Sequence, residues 1–145
     1  MKMKKAILMS GIAIAALTSC TKEKTISNHL SGEKWKVTSI GGSIVETDKD
    51  GKVTTETPDQ DMLNTVFSFD EESMVTVTDA EGNESTMFWT IKEEVIFFDG
   101  SPWFIITEDS SKKQVWSHKE SEKDVDSNGD VETEVTDVTY TLEKQ

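Results

Sequence analysis

Phe67-Ser68-Phe69-Asp70-Glu71-Glu72-Ser73-Met74-Val75-Thr76-Val77-Thr78 is the stretch that decides the fold class. In an extended chain successive side chains point to opposite faces, so Phe67 and Phe69 share one face. Val75 and Val77 share a face beyond an acidic four-residue break. Aromatic and β-branched residues at period two suit a half-buried pleated surface, and the runs are too short for a helix. The stretch predicts an antiparallel hairpin over Thr65 to Phe69 and Met74 to Thr78.

The same pattern continues in both directions. Downstream, Glu81-Gly82-Asn83 turns the chain into Ser85 to Ile91, where Met87, Trp89 and Ile91 alternate with Thr86, Phe88 and Thr90. Val95 to Phe98 and Trp103 to Thr107 are apolar on both faces and read as central strands. Gln114 to Lys119 follows. Glu120 to Asp126 and Asp130 to Asp137 flank Ser127-Asn128-Gly129, and Asn-Gly is a strong hairpin signal. Val138 to Leu142 ends the series. Upstream lie Trp35 to Ile40, Ser43 to Thr47 and Lys52 to Thr57, the last two joined by Asp48-Lys49-Asp50-Gly51. Pro58 stops that strand, and Asp59 to Asn64 suits one helical turn with Met62 and Leu63 capping a barrel end. No segment after Lys34 carries a 3.6-residue period of helical length. The expected fold is all-β: an antiparallel up-and-down meander closing into a barrel of about eight strands, or else a flattened sandwich.

The first nineteen residues belong to a different kind of segment. Lys2, Lys4 and Lys5 precede an apolar run from Ala6 to Leu17. As a helix that run spans ~18 Å, too short for a hydrocarbon core of about 30 Å. It fits a removable signal peptide. Leu17-Thr18-Ser19-Cys20 resembles the lipobox of bacterial lipoproteins, which implies cleavage before Cys20 and a diacylglyceryl thioether on its thiol, carrying fatty acyl chains such as palmitate. Cys20 is the sole cysteine, which rules out an intrachain disulfide and suits an anchor. Stable anchoring takes more than one acyl chain. The expected organisation is a signal peptide over 1–19, a lipidated Cys20 with a flexible tether over 20–30, and a domain over 31–145. Ile26 and Leu30 are placed to dock the end of the tether. Lys22-Glu23 partly matches a signal for the outer membrane, which is the expected location, in either leaflet.

Without residues 1–19, which hold three Lys and no acid, the chain has 126 residues with 12 Lys against 28 Asp and Glu, a net charge of −16. There is no Arg. Nucleic acid and anionic headgroups need a basic face, so neither is an expected partner. Cations or a basic protein surface remain open, and the charge also keeps a monomer soluble.

The order of elements now carries a resemblance. Leu30-Ser31-Gly32-Glu33-Lys34-Trp35-Lys36-Val37-Thr38-Ser39 resembles the opening strand of the lipocalin-like lipoprotein domains of Gram-negative bacteria. Phe67-Ser68-Phe69 with its acidic turn, and Trp89-x-Ile91 followed by Val95 to Phe98, resemble later elements of the same domains. Two details depart from that pattern: Gly32-x-x-Trp35 is one residue longer than usual, and Met87-Phe88-Trp89 lacks a Gly before the Trp. The resemblance spans most of residues 30–142 and implies an eight-stranded barrel-like meander with Trp35 at its closed end.

Candidate site residues are few. Asp124-Val125-Asp126-Ser127-Asn128-Gly129 matches the first half of a calcium loop, in which Asp124, Asp126, Asn128 and Asp130 would supply oxygen ligands. The twelfth position is Val135 where a bidentate Glu belongs, so a plain hairpin turn competes with Ca²⁺ as the reading, and no cofactor is expected. Trp103 and Trp116, with Phe98 and Phe104, could line an apolar cavity, whereas Trp35 and Trp89 read as core. His29 and His118 are the only histidines, and Ser117 and His118 alternate in face, so no catalytic triad assembles. The leading expectation is a non-enzymatic, membrane-anchored module binding a small apolar or amphipathic ligand in the barrel mouth. The alternative is a structural or adaptor lipoprotein contacting protein or glycan at the surface.

Overall fold

The computed structural model describes residues 22–145. The expected signal peptide and Cys20 lie outside the described residues. Nine strands follow one another: β1 (Lys34–Thr47), β2 (Val53–Glu56), β3 (Val66–Phe69), β4 (Met74–Thr78), β5 (Glu84–Lys92), β6 (Val95–Phe98), β7 (Ser101–Asp109), β8 (Lys113–Val125) and β9 (Val131–Lys144). Neighbours in the sheet run β2-β1-β3-β4-β5-β6-β7-β8-β9, and β1 also pairs with β9. Eight strands therefore close into an antiparallel barrel, and β2 stands outside it as one extra strand.

Three long strands each unite segments that the sequence reads as separate. Trp35 to Ile40 and Ser43 to Thr47 are both β1; Gln114 to Lys119 and Glu120 to Val125 are both β8; the last two segments are both β9. Gly41-Gly42 does not break β1. Gly42 has φ +104°, and a Cβ there would lie 2.0 Å from the Asp137 carbonyl oxygen of β9. Glycine is thus what lets β1 and β9 approach and stay paired through this point.

Four hairpins share one device. Asp48, Asp70, Asp79 and Asp126 each accept two backbone N–H groups on Oδ1, from the residues two and four positions on. The fourth turn residue has positive φ in each: Gly51, Ser73, Gly82 and Gly129. A short acceptor at the first position and a left-handed residue at the fourth build the turn locally. At Asp79 the Asn83 side-chain amide, then the Asn83 backbone N–H, hold the carboxyl below its usual range.

The barrel interior is filled by its own side chains. Trp35, Val37, Phe67, Phe69, Val75, Ile96, Trp116 and Leu142 are buried to within 2% of complete. Phe67 meets Trp116 edge-on at 5.0 Å between ring centres, and Phe104 lies 5.3 Å from Trp116. Rings at these distances pack with favourable quadrupole geometry.

Residues 22–30 form a helix rather than the expected flexible tether. Ile26 and Leu30, one helical turn apart, are both fully buried against Trp35 and its neighbours, so this helix plugs the end where β1 starts. Bulges set the remaining polar contacts. An extra residue at Thr107 shifts the register of β7 on β8, so that Asp109 pairs with Gln114. The Trp116 indole N–H donates to Gln114 Oε1 at 2.7 Å, and Gln114 Nε2 donates to Asp109 Oδ1 at 2.6 Å. Asp109 Oδ2 is 2.8 Å from His29 Nδ1; a carboxylate only accepts, so His29 donates. The Trp35 indole N–H reaches the His29 carbonyl at 3.2 Å. This chain bolts the helix to the barrel and satisfies two of the core indoles.

Candidate functional site

At the end opposite the helix, β1, β8 and β9 run on beyond the closed part of the barrel. Their outer halves, with β2, make a four-stranded sheet in the order β2-β1-β9-β8. Its register is continuous: Thr47 to Ile44 pair with Val53 to Glu56 on one side and Thr133 to Thr136 on the other, and Val131 to Asp137 pair with Val125 to Lys119. The outer half of β8, from Lys119, pairs with β9 and has no second neighbour among the described strands, because β7 stops pairing at Ser117.

Alternation makes the two faces of this sheet chemically opposite. Along β9 the barrel's inward face carries Leu142, Tyr140 and Val138, then continues outward as Thr136, Glu134 and Glu132. Along β8 the inward face carries Gln114 and Trp116, then His118, Glu120, Glu122 and Asp124. In β1 the bulge at Thr38 changes the parity, so Trp35 and Val37 point inward before it and Ile40, Ile44 and Glu46 after it. One face thus passes from the hydrophobic core to a field of carboxylates. Glu46 pairs with Glu134, Glu134 with Glu122, and Glu132 with Asp124. These residues and Lys52 line a concavity of about 390 Å³. Like charges directly opposite on neighbouring strands are destabilising, on the order of 1 kcal/mol per pair in water. The other face carries Val45, Val53, Val125, Val131 and Val135 among Thr47, Thr55 and Thr133. Val53 and Val125 are more than half exposed.

At the foot of the acidic face the mouth of the barrel is aromatic. A second bulge, at Trp103, places that residue beside the inward Phe104. Trp103 is 49% exposed, with Phe98 and Phe104 each 6.3 Å away between ring centres. His118 Nδ1 lies 3.0 Å from the Trp103 carbonyl, and His118 Nε2 is 3.5 Å from Glu120. Tyr140 stacks edge-on against Phe104 at 5.4 Å. Its hydroxyl pKa is raised, first by burial and then by the charge of Asp59. In the Asp59–Asn64 turn, Met62 is half-buried against the core, and the Asn64 backbone N–H donates to the Val37 carbonyl of β1.

Of the expected ligand-binding set, the structure leaves only Trp103 accessible. Trp116, Phe98 and Phe104 are buried in the core. Among the described residues Trp116 lines no cavity, and its polar neighbours Gln114 and Ser117 are themselves buried. Asp124, Asp126 and Asp130 do come together, with Glu132, around a recess of about 80 Å³ at the β8–β9 turn. Asp126 Oδ1 is taken by the Asn128 and Asp130 backbone N–H groups. No group of three or more His, Cys, Asp or Glu among the described residues is arranged to hold a metal ion. What sequence reading missed is the acidic face itself. The signal was there as period-two acids, Glu120-x-Glu122-x-Asp124 and Glu132-x-Glu134, but the register that aligns them is not written in either strand.

Compared with known proteins, the chain matches no family model, no curated protein and no solved structure.

Proposed function

We propose that this protein is a non-enzymatic adaptor of the bacterial cell envelope, lipid-anchored at Cys20, that holds a basic protein segment on the acidic face of its projecting sheet. The observation that carries this reading is the row Glu46–Glu134–Glu122, with Glu132–Asp124 beside it. Such a row costs stability in the free protein, and a cationic partner relieves that cost on binding. The same carboxylates repel a second copy of the chain and blunt the open edge of β8 against self-pairing. Exposed Trp103 at the foot of the field adds a ring face suited to Lys or Arg. The expectation of a small ligand in the mouth gives way here because the aromatic residues around it pack on one another.

Topology supports the anchor as well. The helix at residues 22–30 begins two residues after Cys20 and lies at one end of the barrel, while the projecting sheet leaves the other. An acyl group at Cys20 would therefore sit at the membrane side and present the sheet outward.

The test is titration of the protein with a Lys-rich peptide and with a Glu-rich peptide of equal length. Binding of the basic peptide alone, weakening steeply with added salt and at least tenfold weaker in E122Q/E132Q/E134Q, is expected. Equal binding of both peptides, or none of either, defeats the proposal. Mass spectrometry of envelope fractions checks the anchor: an unmodified Cys20 removes it.

A further inference from the structure

Of the three core indoles, two have acceptors and one does not. The Trp35 and Trp116 N–H groups reach His29 O and Gln114 Oε1. Trp89 is 6% exposed, and its Nε1 is buried with no hydrogen-bond partner among the described residues. A buried donor without an acceptor is costly, and the rarity of such groups marks each one as a place where an acceptor is missing.

Trp89 forms part of an open cleft of about 410 Å³ between the N-terminal helix, the β3–β4 turn and β5, lined also by Glu23, Lys24, Ser27, Ser73, Thr90 and Ile91. The cleft is at the opposite end of the barrel from the acidic sheet and is independent of it.

A second observation points to the same place. Of the four Asp-initiated turns, three put glycine at the left-handed fourth position. The fourth turn puts Ser73 there, at φ +72°, although glycine would hold that backbone without strain. The Ser73 carbonyl accepts the Trp89 backbone N–H at 2.9 Å, so the strained serine is tied to the residue with the orphan indole. The strain is tolerated at the one turn whose fourth residue lines this cleft.

We infer that the cleft between the N-terminal helix and Trp89 is a binding site for a small molecule presenting a carbonyl-type oxygen on an apolar body. Two of its groups can only donate, the Trp89 N–H, which has no acceptor, and the Lys24 ammonium, whereas the Ser27, Ser73 and Thr90 hydroxyls can donate or accept and Glu23 is the one carboxylate. One oxygen of that carboxylate already accepts the Glu93 backbone N–H. A ligand for such a set must bring acceptors. Ile91 and the edge of the indole supply the apolar wall. The oxygen could belong to an amide or to a carboxylate, and Lys24 suits the second while the adjoining Glu23 favours the first.

The chain has four Trp, so an indole ¹H–¹⁵N spectrum has four signals and Trp89→Phe assigns the one in question. The probes are N-butylacetamide, pentanoate and, as a control with no acceptor, butylammonium. Expected is a saturable downfield shift of the Trp89 indole signal alone with the amide or the carboxylate, in the millimolar range suited to fragments, and none with butylammonium. Which of the two probes is tighter identifies the oxygen. Ser73→Gly, which relieves backbone strain, should raise the thermal midpoint while weakening binding at least fivefold. Trp89→Phe should remain folded and lose the probe-induced shifts at the Ser73 and Thr90 backbone amides. No saturable shift, an equal response to butylammonium, a parallel drift of all four indoles, or binding unchanged in both variants overturns the inference.

Discussion

The inner and outer halves of β8 and β9 belong to the same strands, paired in one unbroken register from Lys113↔Glu143 to Val125↔Val131. In the inner half the face that looks into the barrel carries Gln114, Trp116 and Leu142, all buried completely. In the outer half the same face carries Glu122, Asp124, Glu132 and Glu134 around an open concavity. The β8–β9 pairing is alike in both halves, while β7 pairs only with the inner half of β8 and the side chains on one face change character. Alternation alone therefore makes a strand, but the identity of the inward residues decides whether the sheet curls onto a core or stands out in water. The stability of the two halves should differ accordingly.

The largest expected effect tests that directly. Phe67→Ala or Trp116→Ala removes a ring from the packed half and should destabilise by about 3–5 kcal/mol. Val135→Ala, at a 46% exposed position of the projecting sheet, should cost no more than about 0.5 kcal/mol. Urea unfolding midpoints at constant slope measure both. Comparable losses at the two sites would mean that the outer sheet is as cooperative a part of the structure as the barrel.

Gly42 stands where the two halves join. Gly42→Ala held at φ near +104° would drive its Cβ into the Asp137 carbonyl, so the backbone of β1 or β9 must shift. Strain of this kind costs about 1–3 kcal/mol. Backbone amide exchange should locate the damage: faster exchange in residues 43–47 and 131–137, with the barrel residues around Trp35 still protected, is the expected pattern. Uniform loss of protection would place Gly42 in the barrel's own folding unit.

A smaller effect, of opposite sign, is expected in the acidic row. Glu134 lies between Glu46 and Glu122 on neighbouring strands, so Glu134→Gln removes two repulsions and should stabilise by up to about 2 kcal/mol at low ionic strength. Salt screens the repulsion already present, so the gain should vanish toward about 1 M. The same substitution is expected to weaken a basic partner, the exchange of stability for binding that marks functional surfaces. A loss of stability at low salt would show that Glu134 is held favourably in the free protein.

How much of this was legible in the sequence follows from the same comparison. The strands, their antiparallel order and the Asp-initiated turns follow from period-two patterning and from local turn chemistry, and Trp35 stands at the closed end as the resemblance implies. The bulges at Thr38, Trp103 and Thr107 are not legible, because an extra residue leaves composition unchanged while reversing which side chains face inward. They explain why Trp103 is exposed and why Asp109 meets Gln114 and His29. Gly41-Gly42 looked like a break because glycine usually weakens a strand, whereas here close approach of β9 requires it. The helix over residues 22–30 was hidden by its polar composition, although Ile26 and Leu30 already had the spacing of one buried stripe.

The least perturbing test uses Tyr140, the sole tyrosine, which sits where core gives way to carboxylates. Burial, and then the charge of Asp59, raise its hydroxyl pKa above the ordinary value of 10.0. Because the folded state holds this proton more tightly than the unfolded chain, the contribution is fully present below pH 10 and is lost as pH rises from there through the folded pKa. Absorbance of the phenolate in the native protein should therefore appear at higher pH than in urea. Asp59→Asn should move the native titration part of the way back and leave the burial contribution in place. Titration of the native protein at the same pH as the unfolded chain would mean that water reaches the hydroxyl freely, and that the boundary between the packed and the projecting halves lies deeper in the barrel than Tyr140.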